Sequence, residues 1–281
     1  METQLKLIRL YFKMLSGVSP KLSANQAFKT FQKIRIKSIR KREEVFYKEA
    51  RHYKLPHANH EDLDIYEFGN PEGRIAFLVH GWESNAGCMY RFAKELSEKE
   101  YRVIALNLPA HAFYKKGATN LLECKIAFRH LLDHIKPSEG FDTVSHSFGS
   151  AVVANALANS DYRVDRMVFL TNPNKVQNIF RQFQEIIHLP EAPFELLLDK
   201  VNELLGKDMS SMDVQEVLKQ VNHGKLLMLH DVHDKVLPFS NSVEINQAVE
   251  TAELVEFEKV GHYRMLWNDE VVNKATQFIL N

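Results

Sequence analysis

The apolar positions of this chain form two kinds of segment. Short continuous runs occur at Ile75–Val79, Arg102–Leu106, residues 141–144, residues 167–170 and residues 226–229. Runs of that length predict strands buried on both faces. Between them lie stretches with helical spacing, at residues 88–99, Leu121–Ile135, residues 150–158 and residues 239–249, and residues 254–257 alternate as a last strand. Such alternation predicts an α/β fold with a mainly parallel central sheet and helices on both faces. Residues 45–53 and 63–68 predict antiparallel strands opening the sheet, and Asn70-Pro71-Glu72-Gly73 predicts the turn that follows them.

Two regions break the alternation. Residues 172–222 hold three helical patterns (Val176–Ile187, 194–205 and 212–221) and no strand. Residues 1–45 predict a helical arm, in which Leu5, Ile8, Phe12 and Leu15 make one apolar stripe. The expected organisation is an arm over residues 1–45, a core of residues 46–171 and 223–281, and an insertion of residues 172–222. With 281 residues, 45% of them hydrophobic, the chain suffices for one large domain with such an insertion.

Charge changes the picture only at the N-terminus. Net charge is zero, but residues 1–55 carry 14 Lys and Arg against 4 Asp and Glu. The arm lacks nucleic-acid motifs, so no nucleic-acid partner is expected. Packing of its apolar face on the body is one expectation, and a weak peripheral membrane contact is the other. No apolar stretch approaches the roughly 20 residues of a membrane span. Lys6, Arg9 and Lys13 interrupt the N-terminal apolar positions, unlike a secretory signal. Two cysteines, Cys88 and Cys124, form no disulfide framework, and a cytoplasmic location is expected.

The candidate chemistry lies where predicted strands end. Ser145-His146-Ser147-Phe148-Gly149 sits between an apolar run and a small-residue helix pattern. A serine in such a turn has its Oγ lifted from the backbone, with helix N–H groups directed at whatever it attacks. His80-Gly81-Trp82 follows an earlier strand. Backbone N–H groups of Trp82 and Phe148 are therefore the candidate oxyanion donors. Asp231 and Asp234 follow a late strand, and Asp234 is the chosen acid because it lies in the loop ahead of Val236 and Pro238. Gly261-His262 follows the last strand, with His262 lying 28 residues after Asp234.

Taken together, these residues resemble the α/β-hydrolase fold superfamily from about Leu63 to Leu280. The resemblance implies Ser147 as nucleophile, His262 as base and Asp234 as acid, with no cofactor. It also implies that residues 172–222 form a helical cap, some of whose apolar side chains (Phe180, Phe183, Ile186, Ile187, Phe194, Leu197, Leu198, Met209) would line an acyl pocket. Two departures stand out. Ser145 replaces the first glycine of G-x-S-x-G, and Asn107 to Ala112 carries Ala110 and Ala112 where D-x-x-G-H-G is usual, so that loop is expected to differ in detail. The implied activity is a serine carboxylesterase acting on a small to medium apolar ester. Thioesters, amides and C–C bonds are alternative substrates, and a non-catalytic binding module is a further alternative. A metal site at His230, Asp231, His233 and Asp234 is disfavoured, because ligands so close on one loop do not all converge. His111 and His146 are expected to be structural.

Overall fold

A computed structural model describes residues 2–58 and 61–281. Eight strands form one sheet: β1 (Arg51–Leu55), β2 (Leu63–Gly69), β3 (Ile75–Val79), β4 (Arg102–Leu106), β5 (Phe141–His146), β6 (Val164–Leu170), β7 (His223–Asp231) and β8 (Ala252–Phe257). Their order is β1-β2-β4-β3-β5-β6-β7-β8. Only β2 runs against its neighbours, with Ile65 opposite Leu106 and Leu63 opposite Leu55. The other pairings are parallel, for example Leu78 with Val144 and Leu170 with Leu229. Parallel neighbours need crossovers, and crossovers place helices on the faces.

Each face has its own core. On one side, α5 (Leu121–Ile135), α6 (Phe148–Leu157), α9 (Val214–Leu218) and α10 (Ser240–Ala248) pack Phe128, Leu131, Val152, Val217 and Ile245 around Phe77 and Phe169. On the other, α3 (Glu44–Glu49), α4 (Tyr90–Ser97) and α11 (Asp269–Leu280) pack Phe46, Phe92, Val271 and Ala275 around Leu78, Val144 and Leu229. Side-chain caps set several helix starts: Asn120 accepts from Glu123 N–H, and Asn268 accepts from Val271 N–H.

The opening strand differs from expectation. Residues 45–53 do not form one strand; α3 occupies their first part and β1 begins at Arg51. Val45, Phe46 and Tyr47 favour strands, but buried Glu43 anchors the segment by accepting from Arg40 N–H and Asn85 Nδ2. Phe46 then turns into the core beside Tyr66 and Phe68. Burial outweighs propensity there.

A third apolar cluster lies outside the sheet. The arm contributes α1 (Glu2–Val18) and α2 (Pro20–Phe31), and the insertion contributes α7 (Val176–Ile187) and α8 (Glu191–Leu205). Phe12, Ala24 and Ala27 pack with Phe180, Ile187, Leu189, Phe194, Leu197 and Val201. The arm's inward face thus rests on the insertion's helices. Within the insertion, α9 goes instead to the sheet-side core.

Past α2, the chain runs along the loops at the C-terminal strand ends. Ile34 N–H donates to the Gly117 carbonyl, and Lys37 Nζ donates to the Tyr114 carbonyl at 2.7 Å. Arg35 donates to Glu83 at 2.9 Å through both its backbone N–H and Nε. Arg40 and Arg42 lie over the rings of Tyr263 and Trp267.

Candidate active site

Ser147 occupies the turn between β5 and α6 with φ 54° and ψ −123°. A non-glycine residue in this region stores strain and persists only where its surroundings dictate it. The surroundings here are tight. A Cβ on Gly149 would stand 2.4 Å from the Val79 carbonyl oxygen and 2.6 Å from that of His80. Ser145 is tolerated because its hydroxyl, fully buried, donates to Ser150 Oγ at 3.0 Å. The same turn leaves Phe148 as the first residue of α6, where backbone N–H groups lack intrahelical acceptors.

Ser147 Oγ lies 3.0 Å from His262 Nε2, and His262 Nδ1 lies 2.7 Å from Asp234 Oδ2. The structure therefore brings together all three residues that the sequence singled out from distant parts of the chain. Ser147 is 8% exposed, and the Asp234 side chain is fully buried. An Nδ1–H donated to Asp234 leaves the Nε2 lone pair for the Ser147 proton. Asp234 Oδ1 also accepts from the N–H groups of Val236 and Leu237. Burial alone would raise this carboxyl, but hydrogen bonds from His230 and His262 outweigh it and hold it well below the usual carboxylate range.

The two aspartates do different work. Asp231 Oδ2 accepts from Val260 and Gly261 N–H, and its Oδ1 accepts from His233 N–H. It staples the loop that carries His262 to the end of β7. His230, fully buried, turns to Ser242 Oγ at 2.7 Å, and Ser242 in turn donates to Asn172 Oδ1. His230 Nε2 is 3.2 Å from the Leu237 carbonyl and 3.5 Å from Asp234. Within the His-Asp-x-His-Asp run, His230 thus stays beside Asp234, whereas Asp231 turns away to the loop of Val260 and Gly261. Sequence reasoning missed the roles of His230 and Ser242. The available signal was a polar side chain at the end of an apolar strand, four residues before the acid.

Three further histidines surround the nucleophile. His80 Nδ1–H donates to the Gly81 carbonyl, and its Nε2 accepts from Leu108 N–H, tying the loop after β3 to that after β4. His146 Nε2–H donates to the His262 carbonyl at 3.1 Å. His111 Nδ1–H donates to the Pro109 carbonyl. Burial, with a smaller contribution from neighbouring charge at His80 and His146, pushes all three down: His80 well below the usual value, His111 to about 4 and His146 to about 3. They are neutral braces. The loop of residues 107–112 keeps the backbone that glycines usually supply, with φ 68° at Ala110 and 48° at Ala112.

Trp82 and Phe148 meet edge to face at 5.1 Å, and Trp82 also meets His111 at 5.5 Å. Both flank the Ser147 turn and are partly exposed. Most apolar side chains of the insertion are consumed in packing: Phe180, Ile187, Phe194, Leu197 and Met209 are buried in the helical cluster, while Ile186 faces outward. Cys88 and Cys124 are unpaired, and burial pushes both thiols up to about 12, so neither is poised as a nucleophile.

A family model described as alpha/beta hydrolase fold matches residues 77–217, half of the chain, and the protein belongs to that family. Solved structures share the fold at low identity. A lipase candidate from Acinetobacter baumannii is 15% identical over 86% of this chain and 97% of its own, with TM-score 0.65. A membrane phospholipase A, described as a bacterial virulence factor, is 16% identical over 99% and 98%, with TM-score 0.62. An esterase of Pyrococcus furiosus is 17% identical over 87% and 94%, with TM-score 0.60. No curated protein matches the chain by sequence.

Proposed function

We propose that this chain is a serine hydrolase of carboxylic esters carrying a small to medium apolar group. The observation that carries the reading is the continuous path from Ser147 Oγ through His262 to Asp234, at 3.0 and 2.7 Å, with Ser147 on a strained turn. The paired rings of Trp82 and Phe148 flanking the Ser147 turn, and the Tyr263 ring against His262, favour an apolar substrate group.

In this mechanism His262 Nε2 takes the Ser147 proton as Oγ attacks the ester carbonyl. Negative charge gathers on the carbonyl oxygen, and the N–H groups of Phe148 and Trp82 receive it. The imidazolium is steadied by Asp234. The tetrahedral intermediate collapses, the alkoxide leaves with the proton from His262, and an acyl-serine remains. Water, deprotonated by His262, then attacks the acyl-serine, releasing the acid and returning the proton to Ser147. The chemistry calls for no cofactor. Helices of residues 172–222 act as a cap in this reading, and the two unpaired, buried thiols suit a reducing cytoplasm.

Hydrolysis of p-nitrophenyl esters from acetate to laurate, by wild type and Ser147→Ala side by side, tests the proposal. The variant is expected to fold normally and to lose turnover by roughly 10⁵-fold or more. Equal turnover by the two proteins would overturn the assignment of Ser147.

A further inference from the structure

The stripe of Leu5, Ile8, Phe12 and Leu15 is not the face of α1 that meets solvent; Phe12 is 1% exposed and packs, with Ile8, in the helical cluster. A second apolar stripe does meet solvent. Leu7, Leu10, Tyr11, Met14 and Val18 are between 48% and 81% exposed, and Leu22 beyond the turn is 56% exposed. Positions 7, 10, 11, 14 and 18 lie on one side of a helix. Soluble surfaces carry single exposed apolar residues routinely, but five along one helix face mark an interaction site.

We infer that this outward face of α1 docks on an anionic lipid surface. The charge around it selects that occupant. Residues 3–42 contain 11 Lys and Arg and no Asp or Glu. Lys13 falls beside the apolar row on the helix surface, and Lys21 lies at the turn next to Leu22; both are exposed. An apolar row edged by lysines suits an interfacial helix, its apolar side chains among the acyl chains and its cations at the headgroups. A second copy is a poorer fit. A two-fold pairing of this face would bring Lys13 and Lys21 of the two copies toward each other. Spanning is not at issue, since no helix among the described residues is long and apolar enough to cross a membrane.

Topology gives the docking a direction. Helix α7 leaves the sheet just beyond the C-terminal end of β6, the same end of the sheet that carries Ser147, and α1 packs on α7 and on α2, which in turn covers α8. A lipid surface held by α1 would therefore lie on the side of the molecule that carries the candidate active site.

Docking does not depend on catalysis, so the test uses the full-length Ser147→Ala protein alongside wild type. Each is sedimented with vesicles of phosphatidylcholine alone and of phosphatidylcholine with phosphatidylglycerol. Both proteins are expected to partition onto the anionic vesicles, more weakly onto neutral ones, and less at high salt. Leu10→Glu/Met14→Glu replaces exposed residues and is expected to leave thermal unfolding unchanged while lowering partition about tenfold or more. Should that variant fold poorly, Lys13→Gln/Lys21→Gln reads the same surface through its charge, with a weaker salt dependence expected. Equal partition of the wild type and the double glutamate variant would overturn the inference. So would a change from dimer to monomer in sedimentation velocity without loss of vesicle binding, which would make the stripe a contact between copies.

Discussion

The strand-end site and the four-helix layer of α1, α2, α7 and α8 are assembled by opposite means. At the strand ends, position is fixed by polar atoms with counted partners. Asp234 receives two backbone N–H groups and two histidines, and Asp231 receives three backbone N–H groups. In the helical layer, Phe12, Ala24, Phe180, Phe194 and Leu197 meet through apolar surface, and ion pairs such as Arg181 with Glu191 stay exposed at its edge. Directional contacts tolerate little displacement, whereas apolar packing tolerates exchange of one hydrophobe for another of similar volume. The strand-end groups aligned on Ser147 should therefore fail by losing function, and the helical layer, like the loop staples around the site, by losing stability.

Asp234→Asn gives the largest contrast. It keeps the shape but removes the charge that orients His262, and a loss near 10⁴-fold in kcat is expected with folding intact. Asp231→Asn should do the reverse. It weakens the staple on Val260 and Gly261, lowering the unfolding free energy by about 1–3 kcal/mol, with a much smaller effect on kcat. Ester turnover and urea unfolding of the two variants check this. If Asp231→Asn is the one that abolishes turnover, the two aspartates have been assigned the wrong roles.

The helical layer supplies the matching case. Phe194 is fully buried there, with the Arg181 guanidinium 4.1 Å from its ring centroid. Phe194→Ala should cost about 3–5 kcal/mol through lost burial and a residual cavity. Turnover measured well below the lowered melting temperature should change far less than in Asp234→Asn. A proportionate loss of kcat would mean that the layer positions the reacting groups.

How much was legible follows the same division. Ser147, Asp234 and His262 stand out in the sequence because their chemistry demands particular residue types at strand ends. The helices of the layer are legible too, and Val176–Ile187 coincides with α7. Their partners are not, because an apolar stripe announces burial without naming what covers it. The outward stripe of α1 was overlooked for a related reason: a helix apolar on both sides shows its periodicity weakly, and Leu5, Ile8, Phe12 and Leu15 absorbed the signal. Residues 45–53 misled because the cause of α3 is the contact of Glu43 with Asn85, 42 residues away.

Acid should expose a difference within the strand-end region itself. His146 is held to about 3 by burial and by the neighbouring His262, against about 6.5 in an unfolded chain. Below pH 6.5 the unfolded chain takes up a proton that the folded protein refuses. The stability contributed by this neutral ring is therefore complete above about pH 6.5 and declines as pH falls toward 3. At pH 5 the decline is about 2 kcal/mol for this one group. His146→Gln removes the titration while keeping an amide N–H for the His262 carbonyl. The gap in melting temperature between wild type and variant should narrow from pH 7.5 to pH 5. A gap that stays constant would show that His146 does not titrate differently on folding.

The smallest effect is expected at Ala110, and its smallness is informative. Its φ of 68° is strained for alanine, by about 1 kcal/mol or more, and glycine would relieve that strain. Against this, glycine gains freedom in the unfolded chain worth about 0.4–1 kcal/mol. The methyl group is fully buried, and removing it forfeits roughly another 0.8 kcal/mol. The opposing contributions nearly cancel, so Ala110→Gly should shift the unfolding free energy by less than about 1 kcal/mol in either direction. Chemical denaturation of the single variant measures this. Stabilisation well beyond that range would mean that the methyl group packs poorly and the strain at Ala110 stands uncompensated. A near-zero result would explain how this turn holds a left-handed backbone without its glycine: the buried methyl group offsets the strain it introduces.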